Sequence, residues 1–320
     1  MSIVLNIFLD NILPIFLLIL SGVILGRSFH LDIDTLSKLN LYLFMPAFTF
    51  VNLYEAQIPH AVLLVLVFSS LLLIVNLALS EGLGRTLHFN RPRRKAFQNA
   101  VSFYNSGNIG LPLIQLVFST GPAVVNGTTP YLELATTVQI MVIVLQNLTT
   151  ATICYYNAAS ATEKPAAAIR RVFTLPAMYT IALAVILKQI PYDFTQLPVW
   201  AAVQYLADGL VAIALVTLGV QLSHTHFDFK LKAAWLAVAL RLLGGPLIAL
   251  PLIKLLGFQG VVAQTVFISA GVPTAVNSAL IAAERHNDED FAAQVVLMST
   301  TLCAVSLILV IYLARLLFPI

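Results

Sequence analysis

Charge is what this sequence has least of. Only 10% of its 320 residues are Asp, Glu, Lys or Arg, against about 25% in a soluble domain. With 59% hydrophobic residues and a mean hydropathy of +0.93, that scarcity excludes a soluble domain and leaves an integral membrane protein in a lipid bilayer. The net charge of +3 is too small to point to nucleic acid. Cysteine is nearly absent: Cys154 and Cys303 lie inside apolar segments without metal-ligand spacing, and they read as small packing residues. The six histidines fall in predicted loops or at helix ends, and none pairs with a carboxylate at helical spacing, so nothing supports a zinc site. No Gly-x-x-x-x-Gly-Lys-Ser/Thr run occurs, so direct nucleotide drive would need another subunit and no cofactor is expected. A nucleophile–base pair is also missing from the apolar segments, which argues against a membrane-embedded enzyme. No basic n-region precedes the first apolar stretch, where Asp10 and Asn11 stand instead; this predicts a retained span, not a cleaved signal peptide. Asn126-Gly127-Thr128 forms a glycosylation triplet, a pattern common by chance.

What the chain has in quantity is long apolar runs. A span needs about 20 mostly apolar residues, and the pattern predicts ten, at roughly 7–26, 36–55, 61–83, 95–119, 131–155, 172–189, 198–222, 233–256, 260–284 and 291–317. The longest break, roughly 156–171, holds Glu163, Lys164, Pro165, Arg170 and Arg171 and divides the chain into halves, 1–160 and 161–320, of five spans each. An odd number of spans per half requires that two similar halves be inverted relative to each other. Basic residues set the orientation. With the N-terminus outside, 13 of the 17 Lys and Arg lie inside, among them Arg27, Arg85, Lys164 and Arg285; Lys188, Lys254 and Arg315 lie outside, and Arg241 lies within a span. Both termini are therefore predicted outside the plasma (inner) membrane. Arg91-Pro92-Arg93-Arg94-Lys95 reads as a cytoplasmic stop signal, with a lipid or partner patch as the other reading.

Two predicted spans carry helix breakers. The fourth contains Tyr104-Asn105-Ser106-Gly107-Asn108-Ile109-Gly110-Leu111-Pro112-Leu113, and the ninth Gly271-Val272-Pro273-Thr274-Ala275-Val276-Asn277-Ser278. Pro112 and Pro273 lie 161 residues apart, about half the chain. Broken helices survive at membrane depth only where protein or a polar cavity surrounds them, and a pair in corresponding halves points to a carrier's binding site. Gly107 and Gly110 permit unusual dihedrals, and Pro112 removes a donor. The half-helix N-termini carry partial positive charge. If the two elbows cross, then Asn105, Asn108, Gly107, Gly110, Pro112, Pro273, Thr274 and Asn277 make one pocket suited to a small organic anion. The plainer reading is that each Pro makes a kink and that Gly107 and Gly110 allow close helix packing.

Intramembrane charges are costly and need a partner or a cavity. Arg241 lies about nine residues into the eighth span, either as counter-charge for an anionic substrate or in a structural ion pair. Asp208, near the middle of the seventh span, could pair with Arg241, carry a coupling proton or face a water-filled crevice. Glu81, near the inner end of the third span, reads as an interfacial residue or as a second proton-coupling candidate, and Glu133 reads as an interfacial residue. Gln139, Gln146, Asn147 and Gln294 offer a polar lining or interhelical hydrogen bonds.

The run Asn105 to Leu113, above all Gly110-Leu111-Pro112-Leu113 with Asn105 five residues ahead of that Gly, resembles the fourth-span motif of the auxin efflux carrier family, in particular its bacterial malate and malonate permeases. The stretch from Thr265 to Asn287, with Pro273, Asn277, Ala283 and Glu284, is similar to the family's ninth span. The resemblance implies an all-α membrane protein of ten transmembrane helices, an inverted five-plus-five repeat of the bile-acid-symporter and sodium/proton-antiporter type. It implies a scaffold from spans 1, 2, 6 and 7, and a transport domain from spans 3–5 and 8–10 in which broken spans four and nine cross. An elevator-like motion and a homodimer are implied as well, with Asn105 as a substrate-contacting residue and Pro112 and Pro273 at the crossover. The expectation is a secondary carrier of small carboxylates, coupled to H+ if to any ion, since no sodium-site signature is present. A sodium-coupled symporter of larger organic anions is one alternative. A ligand-sensing membrane module is another, although the chain ends at Ile320 directly after its last span.

Overall fold

The computed structural model describes residues 5, 8–29, 31–55, 60–159, 176–223, 230–285 and 287–320. Residues 160–175, with Glu163, Lys164, Pro165, Arg170 and Arg171 of the predicted divider, lie outside the described residues. All regular elements among the described residues are helical, and the β pairing consists of two isolated bridges. In chain order the α-helices are α1 (Leu13–Ser28), α2 (Ile33–Leu39), α3 (Met45–Glu55), α4 (His60–Thr86), α5 (Arg91–Ser102), α6 (Leu111–Ser119), α7 (Leu132–Thr149), α8 (Tyr155–Ala159), α9 (Pro176–Leu187), α10 (Pro198–Ser223), α11 (Lys232–Ala239), α12 (Gly245–Leu255), α13 (Gly260–Ala270), α14 (Val276–Glu284) and α15 (Glu289–Leu317). Single π-turns join α2 to α3, α7 to α8 and α11 to α12.

Helix occupies most of the described part of each predicted span. Five stretches are long and apolar enough to cross a membrane: Leu64–Thr86, Leu132–Ala159, Pro198–Val220, Lys232–Leu255 and Glu289–Leu317. Leu13–Ser28 and Gly260–Ala270 are apolar but shorter. The predicted fourth and ninth spans are interrupted, as the Asn, Gly and Pro clusters require, with α5 and α6 in one and α13 and α14 in the other.

Helix α1 packs along α10, and α3 packs against α9 and α10. The α1–α10 crossing is backbone to backbone. A Cβ on Gly219 would lie 2.8 Å from the Gly22 Cα and would run into the Ile19 carbonyl; small residues permit such approach where no hydrophobic effect drives helices together. At the end of α3, the Tyr54 hydroxyl donates to the Tyr192 carbonyl (3.3 Å) and accepts from the Phe194 amide (3.2 Å). Tyr54 also sits against Phe50, Phe194 and Trp200, an aromatic cluster of the kind found at membrane–water interfaces. In the rest of the molecule α4 lies against α5 and α7, and α13 touches α7, α12 and α15.

Four cationic residues within the first five positions of α5 oppose its helix dipole, and the fold compensates. Asn90 caps the helix, accepting from the Arg93 amide at 3.0 Å. Arg93 pairs with Asp288 and lies 4.8 Å from the Phe291 ring centroid. Glu81 accepts from Arg85 (2.8 Å) and sits 3.3 Å from Arg94 and 3.4 Å from Lys95. Three of the basic run thus face acidic groups of their own chain.

Candidate functional site

The two interruptions meet. Helix α5 ends at Phe103, whose backbone is extended (φ −104°, ψ 126°), and the chain returns to helix through a π-turn at Ser106–Gly110. Helix α13 ends at Gly271, and residues 272–275 run non-helically into α14. Tyr104 and Thr274 form an antiparallel bridge: the Asn105 amide donates to the Pro273 carbonyl (2.8 Å) and the Ala275 amide to the Phe103 carbonyl (2.9 Å). Two links that have left their helices thereby satisfy each other's main-chain groups, as an apolar medium demands.

The helix ends are accounted for as well. An α-helix leaves its last carbonyls without intrahelical donors. On α5, the Thr274 hydroxyl donates to Ala100 O (2.9 Å) and Arg241 Nη1 to Val101 O (2.9 Å). On α13, Arg241 Nη2 donates to Ala270 O. The Arg241 guanidinium lies 4.7 Å from the Tyr104 ring centroid, and the residue is 0% exposed. Thr274 donates its own amide to Ser299 Oγ (3.2 Å).

Asn105, 6% exposed, is held in one orientation because its Oδ1 accepts from the Asn108 amide (3.1 Å). Its Nδ2 is buried with no hydrogen-bond partner among the described residues. Gln139 Nε2 donates to Ser106 O (2.7 Å), which leaves its buried Oε1 without a partner among the described residues. Gln146 Oε1 accepts from the Tyr104 amide (3.5 Å). Buried polar atoms are nearly always satisfied, and here one unspent donor and one unspent acceptor flank the same turn, with Gln146 Nε2 and Ser269 Oγ among further buried atoms without a partner among the described residues.

Several expectations change. Pro112 does not sit at the crossing: it occupies the first turn of α6, where a missing N–H costs nothing, while Pro273 lies in the crossing link. The residues that meet are Tyr104 and Thr274, so the two prolines hold different positions in the two breaks. Gly107 and Gly110 do not use left-handed dihedrals; Gly110 is helical (φ −60°, ψ −46°). Its value is room, since a Cβ there would come within 2.7 Å of Gln139 Nε2. Asp208 does not pair with Arg241. It is exposed on α10 and accepts from Gln204 Nε2 (2.9 Å), within electrostatic reach of Glu55, which also feels Glu133. Glu81 lies among the three cations described above, and Asn277 is exposed on the first turn of α14. Asn108 is half-buried. Thr274 was expected as a pocket residue; the sequence held no signal for its capping of α5.

A family model described as "Membrane transport protein" matches residues 7–311. The chain belongs to this family, the membrane transport family of the auxin efflux carriers. It is also 26% identical, over 313 residues, to an uncharacterized transporter of the archaeon Methanothermobacter thermautotrophicus, covering 93% of this chain and 95% of that protein. Family and relative both indicate a transporter rather than an enzyme.

Proposed function

We propose that this membrane transport protein is a secondary carrier that moves small carboxylates by alternating access, with the substrate held where the fourth and ninth spans cross. The observation that carries the reading is Asn105, whose carbonyl oxygen is spent on its own turn while its buried amide nitrogen is not. Such a nitrogen is a donor suited to a carboxylate oxygen. Asn108 and the first turns of α6 and α14, with Asn277, complete the pocket in this reading, with Gly107, Gly110, Pro112, Pro273 and Thr274 shaping it.

The reading takes the helical segments as ten spans in an inverted five-plus-five arrangement, with both termini outside the inner membrane. Spans 1, 2, 6 and 7 form the scaffold, and spans 3–5 and 8–10 the moving domain. The packing of α1, α3, α9 and α10 on one another supports the first grouping. Movement is elevator-like, and the carrier works as a homodimer. If transport is ion-coupled, H+ is the ion, with Asp208 the better of the two expected carriers, because Arg85, Arg94 and Lys95 around Glu81 favour its ionised form.

The test is uptake of radiolabelled malonate, malate and lactate into proteoliposomes, at two pH values, with and without sodium. Carboxylate uptake that responds to pH and not to sodium is expected; sodium-dependent uptake would favour the symporter of larger anions, and no uptake or exchange of any carboxylate would refute the reading. Asn105→Ala should remove one hydrogen bond to a charged group, worth about 1.5–3 kcal/mol, and raise KM roughly 10- to 100-fold. Normal KM and rate in that variant would sink the role of Asn105.

A further inference from the structure

The arrangement around Arg241 goes beyond substrate contact. Helices α5 and α13 both end at the crossing, and a helix C-terminus carries about half a negative charge. Two such ends brought together in an apolar interior repel each other and leave carbonyls short of donors. Arg241 answers both problems with one group, because Nη1 reaches the α5 end at Val101 O and Nη2 the α13 end at Ala270 O. Its placement is specific. It sits in the π-turn Leu240–Gly244 between α11 and α12, an irregularity often found at functional positions. Gly245 leaves the space, since a Cβ there would strike both Ala270 O and Arg241 Nη2. Among the described residues no carboxylate lies within ion-pair distance of Arg241.

We propose that Arg241 is a positioning residue for transport: a clamp that ties the ends of α5 and α13 into one rigid crossing and offsets their joint dipole, so that the site keeps one shape and a positive potential. It acts through Asn105 and the two links and does not touch the substrate. The transport part of this inference rests on the crossing being the substrate site; the clamp itself does not.

The experiment is hydrogen–deuterium exchange on the full chain in lipid nanodiscs, without substrate, for wild type, Arg241→Met and Arg241→Lys. The amides of Asn105 and Ala275, which close the bridge between the links, should exchange at least tenfold faster in Arg241→Met and by a smaller factor in Arg241→Lys, with the other spans unchanged. If Arg241→Met does not fold, Arg241→Lys decides alone. Unchanged exchange at both links, or an equal rise throughout the chain, overturns the clamp. In proteoliposomes, Arg241→Lys keeps the charge and should lower Vmax while leaving KM for malonate within threefold. Arg241→Met should raise KM for dianionic malonate more than for monoanionic lactate, a split that mere loss of fold would not produce; an equal change for both anions removes the electrostatic part. Should wild type move no carboxylate, the transport reading fails while the exchange measurement still decides the clamp.

Discussion

Gln139 and Gly110 form a couple at the scale of single residues. The glutamine can hold Ser106 O only because position 110 carries no side chain. Gly110→Ala should displace the amide and loosen the turn that presents Asn105, and Gln139→Leu should have the same effect by another route. Each variant is expected to weaken carboxylate affinity several-fold, and the double variant should be no worse than the poorer single one, because residues sharing one interaction are not additive. Additive losses in transport KM would mean that the two act separately. That Gly110 mattered was legible in the sequence, but the reason was not. The cluster suggested unusual dihedrals, whereas the need is space for a side chain 29 positions away, which no local pattern encodes. Arg241 is similar. A buried charge announces that it has partners, but the carbonyls of helix ends are common to every sequence and leave no trace in this one.

Among whole elements, the α1–α10 pair depends on bare backbone. Gly219→Val would force a Cβ into the Ile19 carbonyl, and overpacking of this kind costs about 1–3 kcal/mol. Gly82 on α4 is the control, since a Cβ there meets nothing within 4 Å, and an exposed helical Gly→Ala gains about 0.5–1 kcal/mol. A thermal-shift measurement should show a lowered Tm for Gly219→Val and an equal or raised Tm for Gly82→Ala; equal Tm values for wild type and Gly219→Val would contradict the close crossing. The Gly22-x-x-x-Gly26 spacing on α1 carries this signal in plain view. The existence of both helix breaks was equally readable, because Asn, Gly and Pro together cannot continue a helix. The register of their meeting was not. Proline suggested the pairing of Pro112 with Pro273, yet a proline is tolerated in the first turn of a helix and so marks the restart of α6, several residues past the point where Tyr104 meets Thr274.

For the molecule as a whole, the distribution of Lys and Arg predicts which loops face the cytoplasm. The native cysteines are both buried, so an introduced thiol can be read against a quiet background. In intact cells a membrane-impermeant maleimide should label Thr128→Cys, in the exposed loop between α6 and α7, and should not label His88→Cys, between α4 and α5, until the membrane is opened. The opposite pattern would reverse the proposed orientation. The bridge between Phe103–Asn105 and Pro273–Ala275 is made of main-chain atoms alone. The two hydrogen bonds themselves ask nothing of the side chains, although Asn105 and Thr274 also hold the neighbouring turn and helix end through theirs. In the proposed function, the lining residues that hold neither the turn nor a helix end can be exchanged, and with them the preferred solute, while the main-chain joint stays: such a fold separates what is carried from the machinery that carries it, and leaves selectivity open to change in small steps.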